Sequence, residues 1–425
     1  MTPLPHDFET ATRALMGPDA YEQLAAALEQ EPPVSIRLNP FKGGFSVAAA
    51  DGPVPWCPGA FYLPSRPAFT FDPLLHAGVY YVQEASSMFL HHVLRQHVAE
   101  AVSMLDLCAA PGGKSTVARA ALPQGSLLVS NEPVRPRAQV LSENMQKFGH
   151  PDVIVTNNLP RDFRRAGTVF DVILTDVPCS GEGMFRKDPA ARQEWSRQGV
   201  ENCWRLQREI VADAWECLRP GGLLVYSTCT FNAQENELNV QWMCQHLGAA
   251  VQSVATAPEW GITGSLLDGF DAPVYRFLPG RTRGEGLFMA IMRKGTGHDG
   301  KPVAQTDLRK RILKRLNVLS CGVKPPVQKG RDLIPDQSEA LSITAMSRDY
   351  ERCELSYGQA IAYLRKEAVA LPPQTPRGIV LLTFEGVPLG FAKNIGNRAN
   401  NLYPQEWKIK TTHTPTAYEA ILRHT

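Results

Sequence analysis

The sequence predicts an α/β protein: a mostly parallel sheet wrapped by helices, preceded by an N-terminal extension and followed by a small α+β module. Three observations carry that prediction. Between residues 102 and 294 short apolar runs alternate with longer helical patterns, the mark of strand–helix–strand units. A glycine pair, Gly112-Gly113, separates the first of those runs from a helical pattern, the place where open α/β sheets bind ligands. Charge is also split along the chain: residues 1–300 hold 25 Lys+Arg against 31 Asp+Glu, and residues 301–425 hold 19 against 11.

The elements follow in order. Residues 8–30 read as helical and residues 34–39 as extended, within a Pro-rich stretch ending near residue 98. Strands are expected at 102–107, 126–131, 153–156, 170–176, 223–228 and 287–293, with helices from about 114, over 135–148 and across about 200–218. Residues 295–300 (GTGHDG) read as a linker. A basic helix at 308–317, a helix at 357–366 and strands at 378–385 and 389–394 complete the chain. The expected division is 1–98, an N-terminal extension; 99–295, the α/β domain; 296–350, a linker or small basic subdomain; and 351–425, the C-terminal module.

Composition excludes several classes. With 44% hydrophobic and 20% charged residues, the chain as a whole is not disordered, collagenous or a coiled coil. No apolar run reaches the roughly 18 residues of a membrane span, so no membrane partner is expected. The first residues, with Asp7 and Glu9, do not read as a secretory signal; the expected location is cytoplasmic, and a monomer is the default. Nine cysteines occur without a C-x-x-C pair, so no metal site is expected, and a reducing compartment keeps the thiols free. The basic C-terminal part suits a polyanion, or is a solvated surface by chance.

Three segments bear chemistry. Asp106-Leu-Cys108-Ala109-Ala110-Pro111-Gly112-Gly113-Lys114-Ser115 leaves the first strand and opens a helix. Its glycines permit a tight loop and close ligand approach, and Lys114 with the helix start presents positive potential. A phosphate-binding P-loop would need glycine where Cys108 stands, which disfavours an NTPase. Glu132 lies 20 residues beyond Gly112, the offset of an acid that holds ribose hydroxyls. In the second segment, Asp176-Val-Pro178-Cys179-Ser-Gly181-Glu-Gly183-Met-Phe-Arg186-Lys187, Asp176 stands where a carboxylate can read a planar base, and Cys179 sits on a polar loop. Arg186 and Lys187 are either phosphate contacts or a solvated basic pair. The third, Tyr226-Ser-Thr-Cys229-Thr-Phe231, places Cys229 just past its strand on the same rim. A redox pair lacks C-x-x-C spacing; a nucleophile with a helper thiol is the other explanation.

These segments, in this order, resemble the RNA (cytosine-5)-methyltransferases of the Fmu/Sun/NSUN family, with D-x-C-A-A-P-G-G-K, D-x-P-C-S-G and S-T-C-T as their motifs. GVYYVQEASSM (78–88) resembles the family's segment ahead of the cofactor loop. RFLPGRTRGEGLFMA (276–290) and GVPLGFAKNIGNRANNLYP (386–404) are similar to its bacterial 16S rRNA branch, the latter within a PUA-like RNA-binding module. The resemblance implies a Rossmann-like methyltransferase domain using S-adenosyl-L-methionine. The loop residues Cys108, Ala109, Ala110, Pro111, Gly112, Gly113 and Lys114, with Glu132 and Asp176, would bind cofactor. Cys229 would be the nucleophile, Cys179 the group that assists proton loss and enzyme release, and Asp176 the reader of the cytosine edge. The implied partner is RNA: 16S rRNA or the small ribosomal subunit, or else transfer RNA. A non-catalytic RNA-binding assembly factor is the rival from another class. Two positions depart from the family pattern. Thr156-Asn157-Asn158 stands where relatives carry an adenine-binding acid, with either amide a candidate donor, and Gly280 stands where relatives often carry His. Lys114 is a candidate to activate Cys229. In the tail Lys393, Arg398, Lys408 and Lys410 alternate with Phe391, Tyr403 and Trp407, a pattern that suits RNA or, for the aromatics, a module core.

Overall fold

A computed structural model describes residues 2–296, 304–330, 332–344, 350–411 and 417–425. The N-terminal helical stretch is two helices, α1 (His6–Met16) and α2 (Pro18–Leu28). Gly17, at φ +82°, breaks them and Pro18 starts the second, because proline is tolerated only in a helix's first turn. Strands β1 (Val34–Leu38), β2 (Phe45–Val47) and β3 (Ala60–Leu63) follow, then a short α3 (Pro73–His76) and β4 (Tyr80–Val82). β1 is the centre of a three-stranded antiparallel sheet between β3 and β4.

After α4 (Phe89–His97) the large sheet begins. Its elements are β5 (Ser103–Asp106), α5 (Gly113–Ala121), β6 (Leu127–Asn131), α6 (Arg135–Phe148), β7 (Val153–Thr156), α7 (Pro160–Ala166), β8 (Phe170–Asp176), α8 (Pro189–Glu194), α9 (Arg197–Glu216), β9 (Leu218–Thr228), α10 (Glu237–Leu247), β10 (Ala250–Gln252), β11 (Val274–Phe277) and β12 (Leu287–Arg293). Then come α11 (Gln305–Arg315) and β13 (Val318–Cys321). The strand order is β10-β12-β9-β8-β5-β6-β7-β13, with β11 also on β12. Pairings from β7 through β9 are parallel, and β12 and β13 run antiparallel at the two flanks.

Neighbouring strand residues feed opposite faces, as the period of two requires. Met104, Leu128, Val155, Leu174 and Val225 pack with α4, α5 and α6. Leu105, Val129, Ile154, Ile173 and Leu224 pack with α7, α9, α10 and α11. Both faces are covered, which is why these strands read as continuous apolar runs.

Part of the 296–350 stretch, expected as a linker or small basic subdomain, packs into this layer. Leu308 and Ile312 of α11 enter its core, and β13 pairs with β7. The antiparallel edge strand carries no helical crossover signal, so sequence periodicity does not reveal it. Residues 297–300 of the expected linker lie outside the described residues.

The chain ends with β14 (Val327–Lys329), β15 (Asp332–Ile334), α12 (Gln337–Leu341), β16 (Glu351–Glu354), α13 (Tyr357–Leu364), β17 (Gly378–Phe384), β18 (Val387–Asn394), β19 (Ala399–Asn401) and β20 (Leu422–His424). β16–β19 form a four-stranded sheet. This module shares one core with the N-terminal region: Ile36, Leu63, Leu74 and Tyr80 pack with Tyr363, Val380, Leu389 and Tyr403. β2 and β20 pair across the whole sequence, Val47 opposite Leu422. Tyr403 is buried in that shared core and Phe391 in a smaller cluster with Ala340 and Leu381, so these two tail aromatics are core. Among the described residues no helix is long and apolar enough to cross a membrane.

One buried ion pair holds the segment beyond β9. Arg276 of β11 donates from Nε to Glu237 Oε1 at 2.7 Å and from Nη1 to the Phe231 carbonyl at 2.8 Å, and a second bond joins Arg276 Nη2 to Glu237. Arg276→Ala strands a buried carboxylate and is expected to cost about 3–5 kcal/mol. Replacing Arg276 and Glu237 together by Met should cost far less. Urea unfolding curves of the three proteins check this.

Candidate active site

The sheet order reverses at β5, with β6 on one side and β8 on the other. Connections leaving the carboxyl ends of β5 and β8 therefore diverge to opposite faces and leave a crevice. Asp106 ends β5, Asp176 ends β8 and Thr228 ends β9, so all three chemistry-bearing segments meet at this rim.

The glycine loop runs from Asp106 to α5. Gly112 is the N-cap at φ +117°, a conformation that side-chain-bearing residues avoid. A Cβ on Gly113 would lie 3.4 Å from the Gln83 amide and 3.6 Å from the Tyr81 ring, so the N-terminal region walls the loop. Arg37 braces it from beneath, donating to Thr116 Oγ1 at 2.6 Å. Cys108 and Ala109 are buried; burial, with Asp106 and Glu132 nearby, pushes the Cys108 thiol up. Ala110 and Pro111 expose carbonyls that accept from Arg137 and Asn144.

Asp106 is fully buried. Its Oδ2 accepts from Ser115 Oγ at 2.6 Å, while Oδ1 has no partner among the described residues. Burial raises its pKa to about 7; Asp176 and Glu132 add to the rise, and Ser115 and Lys114 oppose it. An unpaired carboxylate oxygen beside a glycine loop fits the ammonium end of S-adenosylmethionine. Glu132 stands one residue past β6, accepting from the Val134 N–H at 3.0 Å with Arg137 at 3.6 Å. Of the two asparagines offered for the adenine, Asn157 has both amide N–H groups engaged and Asn158 has one of its two engaged. Asn157 Nδ2 donates to the Glu132 and Pro133 carbonyls, and Asn158 Nδ2 to that of Asn317.

At the other side of the crevice Cys179 Sγ and Cys229 Sγ lie 3.1 Å apart. The hydrogen bond to Cys229, then burial, holds the Cys179 thiol well above the usual range. Asp176 is braced from two sides: Oδ2 accepts from Lys114 Nζ at 2.9 Å and Oδ1 from Ser227 Oγ at 2.7 Å. About a third of its side chain remains exposed (31%). Burial opposes the charge of Lys114, but Asp176 first, then Cys229 and Glu84, keep its pKa above the ordinary lysine value. Lys114 is thus held on Asp176, with Cys229 also within its field.

Two expectations are corrected. Arg186 does not face a phosphate site: it donates to the Gln30, Glu31 and Gly284 carbonyls, clasping the end of α2 where carbonyls attract cations. Lys187 pairs with Glu285 at 3.3 Å. At Gly280 (φ +89°) a Cβ would stand 3.0 Å from the Gln23 carbonyl, and its own carbonyl accepts from Gln23 Nε2, so the departure from the family's His supports docking of α2. Sequence reasoning missed Ser227, which lies near the end of β9, two residues before Cys229. It also missed Arg37, Tyr81 and Gln83, which reach the loop only through tertiary packing.

Known proteins share both the domains and the fold. Residues 92–293 match the family described as 16S rRNA methyltransferase RsmB/F. Residues 4–85 match the N-terminal domain of 16S rRNA methyltransferase RsmF, and residues 350–409 the methyltransferase RsmF PUA domain. Ribosomal RNA small subunit methyltransferase F of Klebsiella pneumoniae (strain 342) is 30% identical over 95% of this chain and 96% of its own. The same-named protein of Serratia proteamaculans (strain 568) is 31% identical over 95% and 96%. Among solved structures, a methyltransferase homolog protein from Pyrococcus horikoshii superposes with TM-score 0.57 at 25% identity, covering 67% of this chain and 93% of that one.

The raised pKa of Asp106 makes stability depend on pH. The folded protein holds this proton up to about pH 7, whereas the unfolded chain releases it near 3.8. Stability from this group is therefore full below the lower value and is lost as pH rises towards the upper one. Compared with Asp106→Asn, the wild type should lose a few kcal/mol between those limits and no more above them. Denaturant titrations of both proteins across that range measure the difference.

Proposed function

Because the chain belongs to the RsmF family of 16S rRNA methyltransferases, we propose that it methylates C5 of a cytosine in 16S rRNA through a bond between Cys229 and cytosine C6. The coarser activity is that of the family: methylation of 16S rRNA with S-adenosylmethionine as donor. The observation that carries the finer reading is the pair of thiols 3.1 Å apart beside an Asp176 braced by Lys114 and Ser227. S-adenosylmethionine, when bound, supplies an electrophilic methyl group. The loop from Cys108 to Lys114 would hold it, with Asp106 at its ammonium, Glu132 at its ribose, and Asp176 beside it.

Cytosine C5 is a poor nucleophile, and a covalent step makes it a better one. Cys229, as a thiolate, bonds to C6; the C5=C6 electron pair becomes available at C5 and forms the bond to the methyl carbon as the bond from that carbon to the donor sulfur breaks, its electron pair staying on sulfur so that the donor leaves as a neutral thioether. Asp176 hydrogen-bonds the N3/N4 edge and orients the ring. Once Cys229 Sγ is in the thioether it no longer accepts the Cys179 proton, which passes to solvent water. Cys179 then takes the C5 proton. The C5–H electron pair restores C5=C6, the S–C6 bond breaks, and Cys229 leaves as a thiolate.

A base within an rRNA helix must be turned out to reach the crevice, at about a few kcal/mol. The N-terminal region (1–98) and the C-terminal PUA module (351–425) fit as RNA-binding parts because they share one core and flank the domain at 99–295. The reading is of a cytoplasmic monomer acting on free 16S rRNA or the small subunit.

Wild-type protein incubated with a mixture of unmodified 16S rRNA and unmodified transfer RNA and with tritiated S-adenosylmethionine should place label in 5-methylcytidine of the 16S rRNA. Cys229→Ala should transfer none while still binding S-adenosylmethionine; transfer at the wild-type rate would overturn the thiol assignment. Label found only in transfer RNA would keep the chemistry and change the substrate.

A further inference from the structure

The two thiols stand on different loops, and two buried carboxylates tie those loops together in opposite directions. Glu182, on the Cys179 loop, reaches across to the Cys229 loop. It accepts from the Phe231 N–H at 2.6 Å, the Asn232 N–H at 3.0 Å and Asn232 Nδ2 at 2.8 Å, and from Trp195 Nε1 at 3.1 Å. Glu235, on the Cys229 side, reaches back. It accepts from the Ser180 N–H, next to Cys179, at 3.0 Å, from Gln207 Nε2 at 2.6 Å and from Asn232 Nδ2 at 2.8 Å. Asn232 thus bridges the two carboxylates.

The loops also touch directly. Gly183 N–H donates to the Cys229 carbonyl at 2.7 Å, and a Cβ on Gly183 would come within 2.5 Å of that oxygen. Both carboxylates are fully buried, and neither forms an ion pair among the described residues. Burial raises the pKa of each. A carboxylate buried without a cation is costly, and only a full set of donors makes it tolerable. A loop that needed nothing but stability would be held more cheaply by apolar packing.

We propose that Glu182 and Glu235 are positioning residues that hold the thiols in register, each fixing the loop opposite its own: Glu235 sets Cys179 through Ser180, and Glu182 sets Cys229 through Phe231 and Asn232. The proposal rests on the thiol roles assigned above. It separates the two carboxylates by the step each serves. Displacing the Cys229 loop slows bonding to C6. Displacing the Cys179 loop slows removal of the C5 proton, so the enzyme stays joined to RNA.

The test uses the full chain, an unmodified 16S rRNA transcript and S-adenosylmethionine. Methyl transfer and the fraction of protein still attached to RNA after denaturation are both measured per molecule that binds S-adenosylmethionine. Glu235→Gln should slow turnover about a hundredfold and accumulate attached RNA, as Cys179→Ala does. Glu182→Gln should slow turnover similarly with attached RNA below the wild-type level, as in Cys229→Ala. Aspartate at either position keeps the charge with a shorter reach; it should give a milder change of the same sign, and it serves if a Gln variant does not fold. Attachment unchanged, or moving in the same direction in both variants, overturns the clamp while leaving the thiol roles intact. If Cys179→Ala itself collects no attached RNA, the thiol roles fail and the clamp fails with them.

Discussion

The ion pair between Lys114 and Asp176 joins parts of the chain that the sheet alone would leave separate. Lys114 comes from the glycine loop after β5, Asp176 from the end of β8, and Ser227, which completes the bracing of Asp176, from β9. The reversal of strand order at β5 places these ends side by side. A charge-assisted bond in a partly buried setting is stronger than its surface counterpart, and here it relates the glycine loop to the two thiols. Asp176 keeps an exposed edge while it is held by residues of both neighbouring segments.

The rim also depends on material far away in sequence. Arg37, Tyr81 and Gln83 support the glycine loop from the N-terminal region. That region is fused to the C-terminal module through one apolar core and through the β2–β20 pairing. Arg186 and Arg192 clasp the end of α2 from beside the Cys179 loop. The two ends of the chain and the rim of the crevice are therefore mechanically continuous.

The strands of the large sheet are legible in the amino-acid sequence because a strand covered on both faces must be a continuous apolar run. The glycine loop and both thiol loops are legible because Gly112, Pro178 and the cysteines break such runs at their carboxyl ends, where ligands bind. The helical reading of 8–30 holds as two helices, divided at Gly17-Pro18, a breaker pair visible in the sequence. Phosphate contact by Arg186 fails because an arginine's partner, backbone carbonyl or phosphate, is not written in its neighbours.

By itself the sequence determined the local chemistry: which segments are strands, where they stop, and which nucleophiles, carboxylates and cations stand at the stops. These follow from side-chain period and from backbone preferences acting within a few residues. Only the tertiary structure decided the partnerships: Cys179 with Cys229, Lys114 with Asp176, Glu182 and Glu235 across the two loops, β13 on β7, and the N-terminal region with the C-terminal module. Each joins residues tens to hundreds of positions apart. No local pattern encodes such contacts, because they arise from burying the two faces of one sheet at once and from satisfying the polar groups trapped when that happens.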